Sequence, residues 1–177
     1  MRKIFLIFPL FALILTGCGA VDKNEAAKPA VPVEVPKPVA VVFAPSDFDE
    51  ATLAKVEQQL NQRNVPYEAI TIQIGKFTGP QGRVVEVKKA TWEVKPEDFR
   101  AVIYIGGPGM ANIAKDDTLV FMAQKFAKAG KKLVAFGEGN DVLSNAGLPG
   151  GDTGAPAEPA SASSDDEVGQ IVESLSE

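Results

Sequence analysis

Few residues in this chain can do chemistry, and two absences narrow the field further. The 177 residues include no histidine and a single cysteine, Cys18. Without an imidazole no Ser-His-Asp or Cys-His arrangement can form, and most zinc sites are ruled out as well. One cysteine makes no internal disulfide, and no thiol lies downstream of Cys18. The remaining candidates are Gly106-Gly107-Pro108-Gly109, the run Gly137-Glu138-Gly139, and the acids Asp47 and Glu50. Glu138 precedes a short helical pattern, where exposed backbone N–H groups favour an anion. Two roles are open to it. Its carboxylate can cap that helix and fill a pocket, or it can act as a general acid/base or grip a cationic group, and acid/base work needs an organised partner. The glycine loop offers backbone N–H groups to a carboxylate or phosphate, or it is a tight turn that needs glycine. It matches neither a P-loop nor a dinucleotide fingerprint.

Cys18 has its own context. Arg2 and Lys3 are followed by an almost wholly apolar run over 4–15. That run is shorter than the roughly 20 residues a membrane-spanning helix needs, and it fits a cleaved signal peptide. Leu15-Thr16-Gly17-Cys18 resembles the bacterial lipobox. The resemblance implies diacylglyceryl transfer to the Cys18 sulfur, cleavage after residue 17, and acylation with palmitate-type chains. Two or three acyl chains, at about 0.8 kcal/mol per buried methylene, anchor a protein stably. The expected location is the cell envelope; in a diderm bacterium, Gly19 after the lipidated cysteine implies the periplasmic face of the outer membrane.

The elements that must position the candidates follow from periodicity. Residues 18–38 carry Pro29, Pro32, Pro36 and Pro38 and read as a semi-extended tether. A domain is expected over 39–150. Continuous apolar runs at 39–44, 101–105 and 133–136 read as buried parallel strands. The pattern of Leu53, Val56 and Leu60 predicts a helix over 49–62, and Leu119, Val120, Ala123, Phe126 and Ala127 predict another over 117–129, ended by Gly130. Alternation predicts strands over 67–74 and 83–88 around a Gly79-Pro80-Gln81-Gly82 turn. Residues 95–98 suggest a helical turn, and Val142, Leu143 and Ala146 a short helix. Together these give an α/β domain with a mostly parallel sheet. A low-complexity tail over 151–177 is expected to be unstructured through 164, with a terminal helix over 165–176.

In that order the segments resemble the PfpI/DJ-one superfamily. The resemblance rests on 39–45, on 78–87, on Pro96-Glu97-Asp98-Phe99-Arg100-Ala101-Val102, on the Gly106 to Gly109 loop, on Ala129-Gly130-Lys131-Lys132-Leu133-Val134-Ala135-Phe136, and on 142–148. It implies a flavodoxin-like, glutamine amidotransferase-like three-layer sandwich, here C-terminally shortened. It also implies a strained strand-to-helix turn bearing a catalytic cysteine followed by histidine, with a glutamate on the first helix. The matching positions are Gly137, Glu138 and Thr52, or Glu50 with a shift in alignment. A glycine there adopts the turn freely.

Removing Arg2 and Lys3 from the 18 basic residues leaves 16 against 23 acidic ones, a balance of −7. Such a charge repels nucleic acid. The sequence therefore points to a lipid-anchored envelope protein with a non-catalytic binding or scaffold domain. It calls for no metal and no cofactor, and its partners would be the membrane, an envelope protein or a small ligand. Two alternatives remain: a hydrolase or lyase acting on small carbonyl or amide substrates through Glu138 with a first-helix partner (Asp47, Glu50 or Thr52), and a structural lipoprotein whose domain forms a homodimer. The vestigial pocket would comprise Glu50, Thr52, Gly106, Gly107, Gly109, Gly137, Glu138 and Gly139.

Overall fold

The structure, a computed structural model, describes residues 36–148, 159–160 and 165–174. The expected signal peptide, Cys18 and most of the tether lie outside these residues. Eight strands and five helices follow in the order β1 (Val39–Val42), α1 (Glu50–Gln62), β2 (Tyr67–Thr71), β3 (Gly75–Thr78), β4 (Val84–Val87), β5 (Lys89–Ala90), β6 (Ala101–Tyr104), α2 (Pro108–Ile113), α3 (Asp117–Lys128), β7 (Lys132–Phe136), α4 (Gly139–Asn145), β8 (Pro159–Ala160) and α5 (Asp165–Ser174). The main sheet has the order β5-β2-β1-β6-β7-β8, and every pair in it is parallel. β3 and β4 form a separate antiparallel hairpin.

The strands are apolar without alternation because both faces are covered. Ala40, Val42, Val102, Tyr104, Leu133 and Ala135 face one way and pack with Leu119, Met122, Ala123 and Phe126 of α3. Val39, Val41, Phe43, Ala101, Ile103, Val134 and Phe136 face the other way and pack with Leu53, Val56 and Leu60 of α1. This alternation at a period of two yields the three layers. The α1 connection from β1 and the α3 connection from β6 therefore lie on opposite faces. Between β1 and β6 the winding reverses, and a crevice opens beyond the carboxyl ends of the strands.

Three features depart from the sequence reading. The strand expected over 67–74 is shorter: β2 ends at Thr71, and a bend at 72–74 leads into a separate strand, β3. The glycine loop is not wholly a turn, because Pro108 begins α2 with the fixed φ suited to a first helical position. Pro159–Ala160, within the stretch read as unstructured, pairs in parallel with Ala135 and Phe136 of β7. The terminal helix expected over 165–176 is present as α5, and it packs on α1 with Val168 and Val172 buried in the same apolar layer.

Candidate functional site

Three adjacent loops meet at the carboxyl ends of β1, β6 and β7. With the β3–β4 turn they border a cleft of about 410 Å³ lined by Asp47, Phe48, Asp49, Glu50, Pro80, Gln81, Gly107, Pro108 and Glu138. The loop after β1 is fixed from both ends. Phe48 is buried edge-on against Phe43, with ring centroids 4.9 Å apart. Asp49 N donates to Gly106 O at 3.0 Å, and Gly109 N donates to Asp47 O at 3.0 Å. These bonds bring the β1 and β6 loops so close that side chains are excluded between them. A Cβ on Gly107 would lie 2.6 Å from Asp49 N, and one on Gly109 would collide with Ser46 O. Gly107 also has a φ of 112°, and Asp47 itself is left-handed at 49°, a cost a short polar side chain tolerates.

Glu138 does not cap α4, since no side-chain cap bond forms there. Its carboxylate instead crosses to the β6 loop and accepts from Gly107 N at 2.6 Å. Gly106 makes the crossing possible, because a Cβ there would sit 2.6 Å from Phe136 O and 2.8 Å from Glu138 Oε2. Gly137 stands at φ 53°, and a Cβ on it would meet only Gly106 Cα, at 3.7 Å. The turn thus holds the left-handed backbone expected of a strained strand-to-helix elbow, with room left for a side chain. Gly139 is different: its Cβ would press on Tyr104 O at 2.7 Å, so this glycine serves packing of α4 on β6.

Glu50 and Thr52 part company. Thr52 is buried but does not line the cleft; its hydroxyl donates to Asp49 Oδ2 at 2.6 Å and its N–H to Asp49 Oδ1 at 3.0 Å. Glu50 lines the cleft while only 6% exposed, and its Oε1 accepts from Gln81 N at 2.6 Å. The sequence reading missed Asp49, which it placed inside the helix. An aspartate three residues ahead of a threonine at the head of an apolar periodic run is an N-cap signal, and that signal was there to read. Pro80 and Gln81 were seen as a turn, with nothing local to say the turn would wall a cleft.

The lining carries four carboxylates, Asp47, Asp49, Glu50 and Glu138, and no lysine or arginine. The arrangement disfavours an anionic ligand. Among the described residues no group of acids, cysteines or histidines has the geometry of a metal site. A family model described as DJ-1/PfpI family matches residues 37–162. The chain belongs to the DJ-1/PfpI family. The match spans β1 through β8 and so includes the whole cleft. An uncharacterised protein of Methanocaldococcus jannaschii is 25% identical over 151 residues, 84% of this chain and 70% of that protein. A deglycase of Pyrococcus abyssi is 25% identical over 108 residues, covering 61% of this chain and 65% of its own length, just under two thirds. A ThiJ/PfpI domain protein from Brachyspira murdochii superposes with a TM-score of 0.60 at 20% identity, over 63% of this chain and 64% of that one. For Drosophila melanogaster DJ-1beta the TM-score is 0.63 at 12% identity, over 78% and 90%. At such identities the two structures establish the DJ-1/PfpI fold alone: an α/β domain with a mostly parallel sheet flanked by helices.

Proposed function

We propose that this chain is a membrane-anchored envelope lipoprotein, held by lipid on Cys18, whose DJ-1/PfpI domain is a non-catalytic binding or scaffold module. One observation carries the non-catalytic part. At the elbow where the family resemblance implies cysteine and histidine stand Gly137 and Glu138, and the Glu138 carboxylate spends a hydrogen bond on Gly107 N. That N–H belongs to the glycine loop, whose backbone donors would otherwise be open to a ligand carboxylate or phosphate. The site is thus occupied by the protein's own anion, and the bond Glu138 makes is to backbone rather than to a titratable partner that would organise proton transfer. The anchor rests on the charged, apolar and small-residue order ending at Cys18.

The full chain is expected to turn over none of a panel of small aldehydes, esters and amides. Turnover abolished by Glu138→Gln would overturn this reading. The anchor is tested separately: Cys18→Ala should lose lipid labelling and membrane retention, and a labelled mutant would sink the assignment.

A second reading, a hydrolase or lyase using Glu138, has two observations in its favour. Glu50, Asp47 and Asp49 line the same open cleft, and a relative is named a deglycase. Two carboxylates in one cleft can divide acid and base roles, and the same turnover panel decides between the readings.

A further inference from the structure

The β3–β4 hairpin stands outside the main sheet, yet its turn supplies Pro80 and Gln81 to the cleft. Two carboxylates of α1 reach it. Glu50 accepts from Gln81 N at the tip, and Glu57 pairs with Arg83 where the turn rejoins β4. They are seven residues apart, about two helical turns, so they share one face of α1. The tip contact is specifically accommodated. Gly79 has no left-handed φ that would demand glycine, yet it is buried, and a Cβ there would fall inside the Glu50 carboxyl group. Glycine at 79 therefore makes space for that carboxylate. Pro80, Gln81 and Gly82 are all exposed, so little apolar burial holds the tip down.

We propose that Glu50 is the positioning residue of the cleft, and that the turn Gly79–Gly82 is a movable wall which it latches. Release of the bond from Gln81 N frees the turn from α1 as a closed unit, because Gly79 N still donates to Arg83 O at 2.8 Å and Gly82 N to Gly79 O at 3.0 Å, while the Arg83–Glu57 pair and the buried Val85 and Val87 keep the strands in place. A ligand larger than the closed cleft enters by that release, and a cationic ligand that pairs with Glu50 competes directly with the latch. The proposal deepens the binding-module reading by naming how its site opens.

Amide hydrogen exchange of the full chain tests it, since it reads the turn and not the cleft's activity. In the native protein the Gln81 amide should be protected. Glu50→Ala should raise its exchange by about tenfold or more, because its one hydrogen bond to a carboxylate is lost, while the amides of Ile103 and Val134 stay as they were. Glu57→Gln should leave Gln81 nearly unchanged. Gly79→Ala should open the tip in the native background and have little further effect on Gln81 exchange beside Glu50→Ala, where the space is vacant. An unprotected Gln81 amide in the native chain would overturn the latch. So would an equal rise at Ile103 and Val134, which would make Glu50 a global stabiliser. Turnover in the enzyme panel would defeat the non-catalytic reading and leave the latch standing.

Discussion

Gly137→Ala measures whether the elbow is a strained turn with an open side-chain site. A non-glycine residue in the left-handed region costs about 1–2 kcal/mol. Alanine recovers about 0.4–1 kcal/mol of that by restricting the unfolded chain. Steric cost should be small, since the new Cβ meets only Gly106 Cα at 3.7 Å. The net loss is therefore roughly 1 kcal/mol, or about 2–4 °C in Tm for a chain of this size. Gly106→Ala provides the contrast. Its Cβ would press on backbone at Phe136 O and Glu138 N, 2.6 and 2.9 Å away, and would displace the Glu138 carboxylate. Overpacking against backbone costs about 1–3 kcal/mol, and loss of the Gly107–Glu138 bond adds about 1 kcal/mol more after allowance for the exposure of Glu138. Denaturant unfolding of both variants under identical conditions gives the comparison. If Gly106→Ala is the milder change, or if Gly137→Ala costs more than about 3 kcal/mol, the description of the elbow is wrong.

Other consequences are open to measurement. Asp49→Ala should cost about 1–2 kcal/mol in denaturant unfolding, because it strips the cap of α1, whereas Asp49→Asn should keep most of that stability. Val172→Asp should unseat α5, seen as hydrogen exchange across α5 rising to unprotected rates while β6 and β7 stay protected. Both tyrosines hold their protons above the ordinary value of 10.0, Tyr67 through burial and then the nearby Glu57, and Tyr104 through burial. Stability from these groups is intact below that value and is lost as pH rises through the raised folded values. Ultraviolet titration should show tyrosinate appearing late in the native protein and at the ordinary pH in denaturant. The Tyr104 hydroxyl is buried without a hydrogen-bond partner among the described residues, so Tyr104→Phe should be neutral or stabilising near pH 7 in thermal unfolding, and should flatten the alkaline loss.

The sheet was readable because its strands declare themselves. Val39 to Ala44 and Ala101 to Ile105 are apolar at every position, which suits a surface buried on both faces, and Leu53, Val56 and Leu60 mark the helix that covers one of them. What was hidden depends on contacts between residues far apart in sequence. Nothing near Glu138 says its carboxylate will bond Gly107, 31 residues away, instead of capping its own helix. Nothing near Glu50 says it will meet the backbone of Gln81. The early end of the second strand has a related reason: the pattern over 67–74 suits a strand throughout, and only pairing with β1 and β5 decides that β2 stops at Thr71. At Pro159–Ala160 composition was a poor guide, because a two-residue strand needs only backbone groups and a partner such as β7.

The two outermost strands of the sheet, β5 and β8, are only two residues long, and one of them contains a proline that has no N–H to give. A sheet edge with a long row of free N–H and C=O groups invites other chains to add to it, which is how fibrils begin. Here β5 and β8 each present a ladder of only two residues, with Lys89 adding charge on one side. Growth that starts from either of these two terminal strands is therefore confined to two residues of ladder.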